Sequence, residues 1–587
     1  MSSVSAHVAR TLAHYVDAVF GVMGNGNAYF LDALSRDALS GNAAGTDSAV
    51  SFTAVRHEQG AVVAADAYFR ASQKIAAATT TYGAGFTNTL TALAEAAQAR
   101  VPLVLVTGDE PTSGRRPWDV DQIALASGVG VRTYTVGRSD ASATTTIAVE
   151  HALTYQVPVV LAIPYDVATA EAGEIPDAAP LRLPAPLSLD SDHASATLDT
   201  LVQALVTAKR PLLLAGRGAW LADAGEALSR LAELSRALTV TTALGRSIFA
   251  DDRYDLGVAG GFGAHGAMEL VRQADTAVVF GASLNQFTMR FGELFAPGTA
   301  LFQVDTAPAA THAHVTGFIR GDARVVAEAA AERLAARHPE HASPADHTPL
   351  ARNSQRWRTP HEVATARTYT QVQGSAADGR VDPRAAAQRL AELLPDDRVV
   401  VSDGGHFIGW ANMYWPVAAP NRHMMVGTAF QSIGLGWPSV VGAARAQPES
   451  TIVLTTGDGG GLMALADLES AIRTAGGRGM AVVWNDAAYG AEVHLYGLLG
   501  LEQEPMRIPE VDFAGLARAA GAEAIVVHTL DDLDAVQAWR ERDVHDRKFL
   551  VVDLRISGSV VAPYQEEIVH VNTMNAARAQ QRVTQDS

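Results

Sequence analysis

The sequence predicts an α/β protein made of three doubly wound, mainly parallel-sheet domains, and three observations lead there. Short β-branched runs alternate with Ala-rich amphipathic stretches over most of the 587 residues, which is the pattern of βαβ units. Many of those runs are continuously apolar, as strands buried on both faces of a parallel sheet must be. Two polar segments break the alternation and divide the chain into three blocks of similar size, within the about three or four domains that length alone suggests.

In order along the chain, Val4, Val8, Leu12 and Tyr15 recur at helical spacing, so the first segment reads as a domain's first helix and lacks the apolar core of a signal peptide. Strands are expected at 49–52, 75–80, 103–107 and 159–163, then at 212–215 and 276–280. The last block places them at 399–402, 452–456, 480–484 and 549–554. Helices are expected at 60–71, 89–99 and 464–474. Segment 183–195, rich in Pro, Ser and Asp, and segment 348–380, aperiodic with Pro360 and the pair Gly374 and Gly379, read as linkers. The resulting organisation is a domain at 1–182, a domain at 183–347, a linker at 348–380 and a domain at 381–587. The polar stretch after Pro563 reads as a tail or lid. There is no short repeat period, which argues against solenoids and propellers.

Composition removes several kinds of function. The formal charge is 45 − 63 = −18, which argues against a nucleic-acid or anionic-membrane surface, since both need clustered Lys and Arg. With no cysteine there is no disulfide framework, thiolate nucleophile or Cys-ligated cluster. Apolar runs such as 157–164 fall far short of the about 18–20 residues that span a bilayer. A soluble, cytoplasmic protein is expected.

The strongest chemical signal is Gly457-Asp458-Gly459-Gly460-Gly461 after the run TIVLTT, followed by a helical stretch, the run MAVVW, and Asn485-Asp486-Ala487. A strand ending in a glycine turn at a helix start offers backbone N–H groups to phosphate oxygens. Neighbouring parallel strands carry Asp458 and Asn485 to the same carboxyl edge. One carboxylate, one amide oxygen and the Ala487 carbonyl suit a hard divalent ion completed by diphosphate and water. These three are the candidate metal ligands.

This constellation resembles the thiamine-diphosphate signature, GDG followed at a distance by Asn, and the rest of the chain resembles the acetolactate-synthase-like branch of that superfamily, which includes the pyruvate decarboxylases. The first block carries SFTAVRHEQG with Glu58 at a helix start. Upstream, VFGVMGNGNAYFLDAL places Asn25, Gly26 and Asn27 in a loop facing the cofactor. TYGAGFTNTL, which contains Asn88, resembles the family's GPGATN segment, and GTAFQSIGLGWPSVVGA resembles the segment beneath the thiazolium. The resemblance implies a pyrimidine-binding first domain, a Rossmann-like middle domain and a diphosphate-binding third domain. It implies thiamine diphosphate and Mg2+ as cofactors. Glu58 is then the carboxylate on the aminopyrimidine that promotes loss of the C2 proton, with its pKa raised by an apolar setting. Ile433 is the apolar wedge that bends the cofactor. Gly427 and Thr428 meet the pyrimidine edge, and Gly405, His406, Gly457, Gly459, Gly460, Tyr489 and Gly490 join Asp458 and Asn485 around the diphosphate.

Other residues rest on weaker signals. His57 is a candidate proton shuttle or a helix-start hydrogen-bonder, and Asn27 and Gln122 are candidate catalytic polar groups. Gln122, Glu492, His494 and Tyr496, with Asn88, are expected to line the substrate cavity. In the middle block Gly216-Arg217-Gly218 follows a strand, but Gly281 leads into Ala282-Ser283-Leu284-Asn285 where acetolactate synthases carry an arginine against FAD, which argues against bound flavin. The first-choice reaction is 2-oxo acid decarboxylation with ligation to a second carbonyl. The loop DEPTSGRRPWDVDQ departs from acetolactate synthases, so a C–C hydrolase of a cyclic diketone and a 2-hydroxyacyl-CoA lyase using Arg115 and Arg116 stay open, as does an inactive cofactor-binding regulator. Because the family's cofactor ends come from different subunits, a homodimer or homotetramer is expected.

Overall fold

A computed structural model describes residues 2–40, 50–189, 191–337 and 356–573. Of the expected features, Ala49, residues 338–355 and the end of the tail at 574–587 lie outside the described residues. The first sheet contains β1 (Ala18–Gly21), β2 (Ser51–Ala54), β3 (Ala76–Thr80), β4 (Leu103–Asp109), β5 (Arg132–Thr135) and β6 (Pro158–Pro164). The second contains β7 (Pro211–Ala215), β8 (Leu238–Thr241), β9 (Asp255–Val258), β10 (Thr276–Phe280), β11 (Ala300–Asp305) and β12 (Gly317–Arg320). The third contains β13 (Val399–Ser402), β14 (His423–Met425), β15 (Ile452–Gly457), β16 (Gly479–Asn485), β17 (Glu523–Val527) and β18 (Leu550–Arg555).

All named strand pairs are parallel. The orders are β2-β1-β3-β4-β6-β5, β12-β11-β10-β7-β8-β9 and β14-β13-β15-β16-β18-β17. The first and third sheets therefore share one topology, and the middle sheet has the Rossmann order. In each outer sheet the order reverses between the first and third strands, β1 and β3 in one, β13 and β15 in the other. That is where an open α/β sheet parts its loops into a crevice.

The outer domains pack on each other through helix Glu58–Ser72 and helix Gly436–Ala446, whose residues share one apolar cluster. Gly442 makes this approach possible, because a Cβ there would overlap the Ala64 carbonyl. A buried ionic group ties all three domains together at this seam. Arg70 pairs with Asp66 at 2.5 Å and Glu95 at 3.2 Å and donates to the Met425 carbonyl at 3.1 Å. Glu95 accepts from the Phe430 N–H at 2.7 Å. Arg217 of the middle domain donates to the Ala99 carbonyl at 2.5 Å, its pKa pushed down to about 10 by burial and by Arg70.

Several boundaries differ from those expected. Helix Asp192–Thr207 begins inside the 183–195 segment because the Ser191 side chain accepts from the Ala194 N–H and caps it. The 348–380 segment contains helix Pro360–Ala366, started by a Thr359/Glu362 capping box and anchored by buried Val363. The first helix ends at Ala13, so Tyr15 lies beyond it and donates to the Ala179 carbonyl at 2.6 Å. The helix expected at 464–474 is a 3-10 turn, Leu465–Asp467, followed by helix Leu468–Ala475. The tail begins as a helix over 563–573, with Tyr564 and Gln565 buried, because Tyr564 packs on Phe262 and Phe287. Among the described residues no helix is long and apolar enough to cross a membrane.

Candidate active site

At the carboxyl edge of the first sheet, His57 is extended and its Nδ1 accepts from the Gln59 N–H at 3.2 Å, so helix Glu58–Ser72 starts at Glu58. That bond makes His57 the helix cap and commits its Nδ1. Glu58 is half-buried, and its Oε2 accepts from Asn88 Nδ2 at 3.0 Å. The loops after β1 and β3 meet beside it. Gly26 N–H donates to Thr81 Oγ1 at 2.9 Å and Asn25 Nδ2 donates to the Tyr82 hydroxyl at 3.0 Å.

Asn27 and Gln122 do not face the crevice as catalytic groups. Buried Asn27 accepts from Gly24 N–H at 2.8 Å and donates to the Val22 carbonyl and Thr79 Oγ1, each at 3.0 Å. Buried Gln122 accepts from Gly83 N–H at 2.9 Å and donates to the Gly108 carbonyl at 2.9 Å and to Asp109 at 3.2 Å. Both amides are consumed in shaping the loops.

In the third domain, helix Asp458–Met463 follows β15 directly, with Gly457 at its N-cap. The loops are gathered by Asp403, which sequence reasoning passed over. It is fully buried, accepts from Gly404, Gly434 and Leu435 N–H groups at 2.8–3.2 Å and from Thr456 Oγ1 at 3.1 Å. Gly460 lies against it, and Tyr489 lies over Gly459. Gly427, at φ +107°, opens a turn closed by Ser432 N–H to the Gly427 carbonyl at 2.8 Å, and Thr428 donates to the Met425 carbonyl at 3.3 Å. Ile433 follows half-exposed and belongs to no apolar cluster among the described residues, unlike the core residue its type suggests.

The oxygen set fits a hard cation. Asp458 is buried, and burial pushes its pKa up to about 6 against the opposing pull of the Gly459, Ala487 and Ala488 N–H groups. Asp486 is pushed up to about 7 by burial and by the charge of Asp458. Asn485 Oδ1 is buried without a hydrogen-bond partner. Ala487 sits at φ +58° and its carbonyl accepts from Ile508 N–H at 2.9 Å, which leaves one lone pair. A cation held by Asp458, Asn485 and Ala487 would satisfy the orphaned oxygen and stabilise the crowded carboxylates.

His406 is buried. Its Nε2 accepts from Ala562 N–H at 2.9 Å, so its proton sits on Nδ1. Burial, then the neighbouring His494, pushes its pKa down to about 3. His494 packs against it, ring centroids 4.5 Å apart and tilted by 44°, and is itself buried, so it does not line an open cavity, whereas Glu492 and Tyr496 are exposed. Gly405 precedes this pair at φ +140°, and Gly490 packs against His406. A depressed imidazole gives stability that is present above its ordinary pKa and lost as pH falls toward 3. Lowering the pH from 7 to about 5 is expected to cost about 2 kcal/mol at His406 alone. Thermal melts of the wild type and His406→Gln at both pH values check this, and identical pH slopes would contradict it.

The structure thus builds two groups, Glu58 with Asn88 and the Asn25 loop, and Asp458 with Asn485 and Ala487. Among the described residues no hydrogen bond joins them. In the middle domain, Gly216 N–H donates to the Phe280 carbonyl and Gly218 N–H to the Gly281 carbonyl, both at 2.9 Å. The glycine turn that could cradle a dinucleotide is closed on its own sheet.

Comparison with known proteins agrees with this architecture. Three family descriptions match in order: thiamine pyrophosphate enzyme, N-terminal TPP binding domain, over residues 2–127; central domain, over 198–330; and C-terminal TPP binding domain, over 403–553. The chain belongs to the thiamine-diphosphate-dependent enzymes. Its relatives include the acetolactate synthase isozyme 3 large subunit of Escherichia coli, 26% identical over 95% of this chain and 96% of that protein. They also include the sulfoacetaldehyde acetyltransferase of Alcaligenes xylosoxydans xylosoxydans, 27% identical over 97% and 95%. The fold matches that of the Rhodococcus jostii RHA1 thiamine diphosphate-dependent 4-hydroxybenzoylformate decarboxylase with a TM-score of 0.74, 21% identity, and coverage of 95% and 99%. Thiamine diphosphate is the cofactor of the two outer domains, and magnesium is its usual partner metal.

Proposed function

We propose that the protein decarboxylates a 2-oxo acid and joins the retained fragment to a second carbonyl compound. When bound, thiamine diphosphate supplies a C2 carbanion and an electron sink for cleavage beside a carbonyl. Glu58, oriented by Asn88, would hold the proton shared with the aminopyrimidine. Asp458, Asn485 and Ala487 would hold the magnesium that neutralises the diphosphate, and Ile433 would lie against the cofactor. The closed glycine turn supports a middle domain without flavin.

The observation that carries ligation is a preformed surface beside the Asn25 loop. Arg116 stacks on Tyr82 at 4.1 Å and Tyr165 at 4.8 Å, with Trp118 at 5.6 Å and 61% exposed. A cationic, aromatic surface of this kind suits a second carbonyl compound beside the first. Arg116 is held by Asp119 at 2.8 Å, and Arg115 by Glu110 at 2.6 Å. Both arginines are therefore already paired, which weakens the acyl-CoA reading. The test is mass-spectrometric product analysis with 2-oxo acids alone and with added aldehydes or second oxo acids. Ligated product supports the proposal. Aldehyde alone indicates a decarboxylase, diketone cleavage a hydrolase, acyl-CoA cleavage a lyase, and no turnover an inactive binder.

We further propose that the two groups meet across a homodimer, or within a tetramer of such dimers. Exposed apolar side chains in both outer domains support this, among them Met23, Phe430, Met463, Leu498 and Leu499. Sedimentation is expected to give an oligomer, and dilution to monomers is expected to abolish turnover. A fully active monomer would overturn it.

A further inference from the structure

We propose that Asp553 is a positioning residue for the metal, locking the Asn485 amide so that its oxygen and not its nitrogen faces the cation. This rests on the reading of Asp458, Asn485 and Ala487 as the metal-holding set. An amide has two ends of nearly equal shape and opposite hydrogen-bonding character, and only the oxygen end can ligate a cation. Asn485 Nδ2 donates one hydrogen to Asp553 Oδ1 at 2.9 Å and the other to the Val511 carbonyl at 3.1 Å. Its Oδ1 is left buried and unpartnered. Turning the amide over would set Oδ1 against a carboxylate and a carbonyl, both acceptors, and aim two N–H groups into the site. Asp553 and Val511 therefore fix the orientation before any cation arrives.

Asp553 is placed for this and is itself immobilised. It lies in β18 opposite Val483 of β16, two residues before Asn485, and is fully buried. Its second oxygen accepts from Phe513 N–H at 3.1 Å and from Arg555 Nη2 at 2.6 Å, and Arg555 pairs with Glu510 at 2.8 Å. A carboxylate inside the apolar run LVVDLR is costly to bury. Here it supplies an acceptor whose direction cannot drift. Partners of this kind behind a ligand typically set metal affinity by about 10–100-fold.

The probe is Mn2+, followed by electron paramagnetic resonance in the presence of thiamine diphosphate, with folding followed by circular dichroism. Asp553→Asn keeps the shape but removes the obligate acceptor, and is expected to weaken Mn2+ binding by about 10–100-fold with the fold intact. The double variant Asn485→Asp with Asp553→Asn lets residue 553 donate to a carboxylate at 485 but sets that carboxylate against the Val511 carbonyl, so it is expected to recover part of the lost affinity. It also carries the test if the single variant does not fold. Unchanged Mn2+ affinity in folded Asp553→Asn, or a folded double variant that binds Mn2+ no better than Asp458→Ala, overturns the proposal. If Asp458→Ala binds Mn2+ as the wild type does, the metal-site reading itself fails. If Asp458→Ala abolishes binding and Asp553→Asn leaves it unchanged, only the role of Asp553 fails.

Discussion

Glu58→Gln is expected to lower kcat by about 10²–10⁴-fold while the protein folds and still binds cofactor, that being the usual contribution of a positioned acid–base group. Glutamine preserves the length of the side chain and can still meet Asn88, so packing around the helix start changes little. It cannot exchange a proton. Because Glu58 is half-buried and makes one hydrogen bond, to Asn88 at 3.0 Å, global stability should stay nearly constant. The measurement need not await the substrate. Hydrogen–deuterium exchange at C2 of bound thiamine diphosphate, followed by NMR after acid quench, reads the proton step itself. Exchange as fast in Glu58→Gln as in the wild type would remove Glu58 from the mechanism. Asn88→Ala should slow exchange less, since it frees the carboxylate without removing it.

What the sequence made legible follows from burial. The central strands β3, β4, β6, β7, β10, β15, β16 and β18 are buried at every residue, so they appear as mainly apolar runs, and the charged exceptions in β18, Asp553 and Arg555, are paired with each other. The edge strand β5 is partly exposed and polar, and gives no such run. The shared topology of the outer domains is not visible as a repeat, because strand order is set by pairing between distant segments. The helix starts inside the two polar segments are hidden for a local reason: Ser191 and Thr359 are helix caps as well as loop-formers, and composition does not separate the two.

The site divides in the same way. Asp458, Asn485 and Ala487 were legible because two adjacent strands deliver them from short sequence windows. Asn27 and Gln122 have residue types suited to catalysis, yet their partners, Thr79 and Gly83 among them, lie far away in sequence and consume the amides. Asp403 and Asp553 went unread for the converse reason. Each acts on residues about 30 to 70 positions away, Gly434 and Asn485 respectively, and the only local trace is a carboxylate at the end of or within an apolar run. A lone acid in a buried strand is the signal that would have found Asp553, since burial without partners is too costly to be incidental.

Asp458→Ala is expected to weaken magnesium-supported thiamine-diphosphate binding by at least about 100-fold, beyond the 10–100-fold that loss of an outer partner costs, and to abolish turnover. Fluorescence titration with cofactor at fixed Mg2+ checks it. The effect on stability should be opposite. In the metal-free protein Asp458 is a buried carboxylate with a raised pKa, facing a second raised carboxylate at Asp486. Removing one of two like charges from a desolvated site relieves repulsion. The metal-free variant should therefore melt no lower than the metal-free wild type, while Mg2+ with cofactor raises the melting temperature of the wild type alone. A merely structural Asp458 would give the reverse: a lower melting temperature without metal and an undiminished response to Mg2+. Burial raises the pKa of both carboxylates, and a bound cation would favour their charged forms, so gain of stability on loading and loss of function on substitution would share one electrostatic cause.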